Sequence, residues 1–189
     1  MGKWTRRGVI TAGVVAGGAL VVGVAIRPGN RAQKLSPLVT EGDETLVSAW
    51  VKIDPKNHVT AIIPHSEMGQ GAQTALTQML ADELDARWDD VSFIEAPAHD
   101  EYANYMLGKG FLLGPAEVPE VLVGTLDGVF IQVAKAMHLQ ITGGSMSVRA
   151  TGQYGMRIAG AAAREMLIDA AAEAWSVPAA ELTASEGQI

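Results

Sequence analysis

Cysteine is absent from all 189 residues. The chain therefore supplies no disulfide framework and no thiolate ligand for zinc or an iron–sulfur cluster. Aromatic residues make up only 5% against 48% hydrophobic residues overall, so small aliphatic side chains must fill a globular core. Positive charge is scarce where a polyanion would need it. Six of the 14 Lys and Arg residues precede the first acid, Glu41, which leaves eight against 21 acids, or −13. A body that acidic excludes a nucleic-acid partner. The four histidines, His58, His65, His99 and His138, share no metal-ligand spacing, so no metal ligand is assigned. Exposed or capping roles are expected for them, with His65 alone close enough to a glycine turn to line a pocket. There is no glycine–lysine–serine phosphate loop anywhere, and no spacing supports a Ser–His–Asp triad.

Charge is also missing from residues 8–26, a run of mostly Val, Ala, Gly, Leu and Ile that directly follows Arg6-Arg7. Paired arginines ahead of an apolar run have the layout of a twin-arginine export signal. At 19 residues the run is about long enough to cross a bilayer as a helix. No small-x-small cleavage site follows it, which favours an uncleaved transmembrane anchor over a removed signal. Residues 1–29 are thus expected to place the chain on the periplasmic side of the inner membrane. Residues 30–45, with Pro37, Gly42 and little periodicity, are expected to be a linker.

The rest reads as a layered α/β (α+β) body, a mixed sheet with helices packed on it. Residues 49–54 alternate as a half-buried strand, Pro55-Lys56-Asn57-His58 is a turn, and 59–63 is a second strand. A helix is predicted over 75–86 from Leu76, Met79, Leu80 and Leu84, and a third strand over 91–94. Residues 97–119 are apolar but aperiodic. Gly108, Gly110, Gly114 and Pro115 are expected to keep them in a loop lying on a partner or membrane surface. Helices are predicted over 120–139 and 152–175, and a last strand over 181–189.

Two glycine turns each precede a long helix. The first is Glu67-Met68-Gly69-Gln70-Gly71-Ala72-Gln73-Thr74; the second is Thr142-Gly143-Gly144-Ser145-Met146-Ser147-Val148-Arg149. Glycine allows the backbone to turn tightly and to approach a ligand. The N–H groups of a helix's first turn can then hold an anion, and Thr142, Ser145 and Ser147 add hydroxyls. A purely structural turn remains the alternative for each. Glu67, Asp82 and Glu83 read as helix-end or solvated charges.

The Ser66-Glu67-Met68-Gly69-Gln70-Gly71 segment followed by Thr74 resembles a cofactor loop of the large molybdenum subunit of the xanthine dehydrogenase and aldehyde oxidoreductase family. Thr142-Gly143-Gly144-Ser145-Met146-Ser147, with Gly152 beyond it, is similar to that family's second loop. The branch resembled is the isoquinoline 1-oxidoreductase beta subunit, also known as membrane-bound aldehyde dehydrogenase. The resemblance implies that residues 46–189 are the N-terminal part of a molybdopterin-binding domain. It implies molybdopterin cytosine dinucleotide with molybdenum, contacted by Met68, Gly69, Gln70 and Gly71 and by Gly144, Ser145, Met146, Ser147 and Val148. It further implies hydroxylation of an aldehyde or N-heterocycle with oxygen from water. Electrons would leave through iron–sulfur clusters on a small partner subunit toward a cytochrome c acceptor. The family's base glutamate and its Gly-Gly-Phe-Gly loop have no match here, so no catalytic residue is assigned. The remainder of the molybdenum subunit is expected to supply them. The alternative reading is a membrane-anchored periplasmic binding or docking module without catalysis.

Overall fold

The structure is a computed structural model that describes residues 13–15, 19–21, 31–114 and 118–189. Arg6, Arg7 and most of the expected anchor lie outside the described residues. Within that run, β1 (Gly13–Val15) and β2 (Ala19–Val21) are extended and pair antiparallel, Gly13 opposite Val21. These six residues therefore do not belong to the transmembrane helix expected there. Valine's branched Cβ favours extended backbone and glycine weakens a helix, which suits Gly13–Val15 and Val21 to strands. Among the described residues no helix is long and apolar enough to cross a membrane.

The expected linker contains a helix instead. In α1 (Arg31–Val39), Leu35 and Val39 are both buried; four residues apart, they share one helix face. Burial of this pair outweighs Pro37, whose missing N–H costs a helix one hydrogen bond. Next come β3 (Thr45–Ser48), β4 (Val51–Ile53) and β5 (Val59–Ile63), three antiparallel strands in sequence. The Asp54 carboxylate accepts the Lys56 N–H at 2.8 Å and the His58 N–H at 2.8 Å. It so closes the predicted turn, as an Asp side chain bonding its own backbone does. From β5 the chain passes into α2 (Ala72–Leu84) and returns as β6 (Val91–Glu95), which pairs parallel to β5 from Val59–Val91 to Ile63–Glu95. The sheet is therefore mixed, in the order β3-β4-β5-β6.

All five residues of β5 are buried because both faces of the sheet are covered. On one face Val59, Ala61 and Ile63 pack with Leu76, Leu80 and Leu84 of α2 and with Met156, Ala159 and Ala163 of α5 (Gln153–Trp175). On the other, Ile62 and Leu46 meet Leu35, Val39 and Tyr102. Small residues let α5 lie close on α2: a Cβ added to Gly160 would sit 2.4 Å from the Leu80 carbonyl oxygen.

The expected loop at 97–119 is largely helical. A 3-10 turn at Asp100–Tyr102 leads into α3 (Tyr105–Leu113). The Asn104 side chain caps its first turn by accepting the Leu107 N–H. Gly108 and Gly110 are tolerated inside it because α3 packs along α4 (Glu120–Ala136). The last strand does not form. A 3-10 turn at Ala179–Glu181 and one Ser185–Gln188 bridge replace it, and the tail docks through the Gly187 N–H on the Asp85 carbonyl, 2.6 Å away.

Candidate functional site

Both glycine turns lie at the same end of the molecule, where β5 hands over to α2 and where α5 begins. In the first turn, Gly69 and Gly71 take φ of 92° and 76°, a left-handed backbone that L side chains resist. In the second, Gly143 and Gly144 do the same at 72° and 54°. Behind the second turn a π-helical stretch, Ser147–Gly152, feeds α5; such widened turns recur at functional sites.

The turns are bonded to each other. Gln70 Nε2 donates to Ser66 O at 2.9 Å and to Ser147 Oγ at 3.3 Å, while Gln70 Oε1 accepts the Met68 N–H at 2.7 Å. Thr142 Oγ1 accepts the Ser66 N–H at 2.9 Å. Ser147 is fully buried, and its hydroxyl donates to Gly144 O at 2.7 Å, so both of its roles are filled inside the protein. Gln70 and Ser147 hold the junction. Val148 packs on the main core. Met68, Gly69, Gly71 and Ser145 are exposed, and Gly144 and Met146 are set by the same turn at its edge.

The anion position expected at the start of α2 is taken by the chain's own Glu67. Its carboxylate accepts the N–H groups of Gly69 (2.8 Å), Gly71 (3.0 Å) and Gln73 (3.3 Å). Those N–H groups, Gly71 foremost, hold the Glu67 carboxyl below the usual carboxylate range against a smaller effect of burial. A phosphate cannot use the same donors while Glu67 sits there. What remains open is the outward side. A Cβ at Gly69, Gly71 or Gly144 would meet nothing within 4 Å, and among the described residues the N–H groups of Gly144 and Ser145 donate to no protein group. Exposed backbone with spare donors on two braced turns fits a flat, polar ligand edge.

Three further groups stand behind the junction. His65 is buried, and Nε2 lies 3.4 Å from Thr151 Oγ1, which also receives Asn104 Nδ2 at 3.2 Å. Asn104 Nδ2 reaches Ile141 O at 3.0 Å as well, so His65, Thr151 and Asn104 tie both turns to α3. Burial pushes the His65 pKa down to about 4. The Ile141 carbonyl opposes this only in part. Sequence reading placed His65 beside the turn but could not find its partner Thr151, distant along the chain, or Asn104 beyond it. Glu67 as a cap was readable only as a helix-end charge. Among the described residues no cluster of His, Asp or Glu could hold a metal ion.

Comparison with known proteins gives this geometry a family. Residues 3–106 match the molybdopterin cofactor-binding domain, a stretch that includes the first turn and stops before the second. The chain is also 32% identical over 142 residues to the isoquinoline 1-oxidoreductase subunit beta of Brevundimonas diminuta. That match covers 75% of this chain and 14% of the relative, so the chain spans about one seventh of the length of the curated protein it matches. With more than half of its residues inside the domain match, the chain belongs to the molybdopterin cofactor-binding domain family.

Proposed function

We infer that the two braced turns form one wall of the pterin pocket of a molybdenum hydroxylase that oxidises aldehydes or N-heterocycles. The observation that carries this is the junction itself: Gln70 and Ser147, far apart in sequence, join a turn inside the family match to a turn outside it. Met68, Gly69, Gly71, Gly144, Ser145 and Met146 would line the cofactor with backbone, while Gln70 and Ser147 fix the spacing between the turns and Val148 anchors the second turn in the core. A bound molybdopterin would supply the two-electron oxidation of the substrate carbon. The chain's own part is to bind it, orient it and exclude water; no residue here is assigned the transfer of a proton.

The relative's name supports an oxidoreductase in a multisubunit setting, and the domain match supports a molybdopterin cofactor. On this reading the cofactor is the cytosine dinucleotide form, and iron–sulfur clusters on a small subunit carry electrons toward a cytochrome c acceptor. The assembly, including the remainder of the molybdenum subunit, is held at the periplasmic side of the inner membrane by the twin-arginine segment. The test isolates the chain from native membranes and measures its molybdenum, iron and pterin content. Molybdenum and a pterin dinucleotide co-eluting with an iron–sulfur protein is the expected result. A chain recovered without metal or pterin, retaining a simple phosphate ligand, would favour a binding module instead.

A further inference from the structure

The four-stranded sheet ends on two outer strands that are finished differently. At β3 the register on β4 shifts between Leu46 and Ser48, an irregularity of the kind that blunts a sheet edge. At β6 the register is unbroken from Val91 to Glu95, and the strand holds neither proline nor lysine. Its one charge, Glu95, is held on α2 by Gln73 Nε2 at 2.7 Å. The phase of the ladder follows from one bond. The Ala96 N–H donates to the Ile63 carbonyl at 2.9 Å, and Ile63 lies opposite Glu95. In a parallel ladder this commits the backbone groups of Ser92 and Ile94 to β5. Those of Phe93 and Glu95, with the Val91 carbonyl, point the other way. Among the described residues they have no hydrogen-bond partner. The side chains at this edge are apolar: Phe93 is 41% and Trp88 47% exposed. With Thr74 and Thr77 of α2 and with Val91 they line an open notch of about 310 Å³ beside the strand. A free backbone row next to an apolar notch is what strand addition uses. Main-chain bonds hold the incoming strand, and a pocket takes one of its side chains.

We propose that a fifth strand, from the remainder of the molybdenum subunit, pairs with the free edge of β6. The free groups fix the chemistry of the occupant. It is an extended polypeptide whose N–H and carbonyl groups meet those of Phe93 and Glu95, and one of its apolar side chains enters the Trp88–Phe93 notch. Length points to its source. The relative is about seven times as long as the stretch matched here, so an enzyme of that size carries most of its chain outside this unit. A covered edge also removes the aggregation hazard of a regular, open strand. The assignment rests on the reading of the chain as one wall of a molybdenum hydroxylase and adds where the rest attaches.

The test compares the native assembly with the purified chain by amide hydrogen exchange, read at single residues by fragmentation mass spectrometry. The Phe93 and Glu95 amides are expected to exchange at least about tenfold more slowly in the assembly, while Ser92 and Ile94, bonded to β5 in both, change little. Phe93→Pro is the variant, because a strand tolerates proline where the lost N–H faces outward. Phe93→Val is its control, since it also shortens the side chain but keeps the donor. Phe93→Pro should lower recovery of the long molybdenum-subunit polypeptide about tenfold relative to Phe93→Val, the effect of one lost hydrogen bond and a ring set on the edge. The two purified chains should melt close together; if Phe93→Pro fails to fold, the wild-type exchange comparison decides. Equal exchange at Phe93 and Glu95 in an assembly that holds molybdenum and pterin would overturn this proposal and leave the cofactor reading standing. Equal recovery with the two variants would overturn it as well, and so would loss of the small iron–sulfur subunit alone. Protection already present in a purified chain that runs as a dimer would assign the edge to a second copy instead. A chain that co-purifies with no other polypeptide would overturn both readings.

Discussion

Gly152→Ala should be among the most damaging small substitutions in the chain. A Cβ there would lie 1.9 Å from the Ser147 carbonyl oxygen and 2.7 and 2.8 Å from the Leu76 methyls. Leu76 is fully buried, and the Ser147 carbonyl belongs to the π-helical turn, so neither neighbour can step aside cheaply. Overpacking a well-filled core costs roughly 1–3 kcal/mol, and a clash with backbone belongs at the upper end, about 3 kcal/mol. For a chain of this size each kcal/mol moves the melting temperature by about 2–4 °C, so a drop of about 6–12 °C is expected. The control lies three residues on. A Cβ at Gly155 meets nothing within 4 Å. Gly155→Ala should therefore gain roughly 0.5–1 kcal/mol from helix propensity alone. Thermal melts of the two variants, followed by circular dichroism beside wild type, decide it. If Gly152→Ala melts with Gly155→Ala, the close approach that couples the second turn to α2 is wrong.

Acid should act through His65. Its folded pKa of about 4 is below the ordinary 6.5. The unfolded chain therefore binds the proton first, and the stability His65 confers is lost as pH falls through that interval. The loss is at most about 3 kcal/mol, and His65→Asn should flatten the melting-temperature profile across that window. Glu67 has the opposite charge type and a lower window. Its depressed carboxyl stabilises the first turn above its ordinary pKa, so hydrogen-exchange protection of Gly69 and Gly71 should exceed that in Glu67→Gln at neutral pH. The two should converge in acid, as the carboxyl protonates below its ordinary pKa. Glu101→Gln leaves three cations, Arg31, Lys34 and Lys135, facing one another. Burial raises that carboxyl, but hydrogen bonds from Lys135 and Lys34 more than offset it. The cations themselves are partly exposed. The expected destabilisation in chemical denaturation is therefore about 2 kcal/mol, between the small value of a surface pair and the full value of a dry one.

Elements whose signal is local were legible in the sequence. The hairpin of β4 and β5, the parallel return through α2 to β6, and the long α4 and α5 follow from alternation, helical spacing and turn residues. The mixed layered sheet follows from their order. What escaped depends on contacts made at a distance. α1 forms despite Pro37 because Leu35 and Val39 find Ile62 and Tyr102 on the far face of the sheet. α3 forms despite two glycines because Asn104 caps it and α4 supports it. The strand expected at 181–189 gave way to a tail tied to Asp85 and Asn57. The site divided in the same way. Glycine spacing located both turns, but that Glu67 fills the helix end and that Gln70 and Ser147 face each other emerge only when the two turns are brought together.

Molybdenum and pterin content of the native assembly carrying Gln70→Ala, measured beside wild type and a Gly155→Ala control, tests the central claim most directly. If the braced turns hold the cofactor, Gln70→Ala loses both molybdenum and pterin while its melting temperature and assembly stay close to wild type. Full molybdenum and pterin in a Gln70→Ala assembly would contradict the account and leave the junction as a structural tie alone.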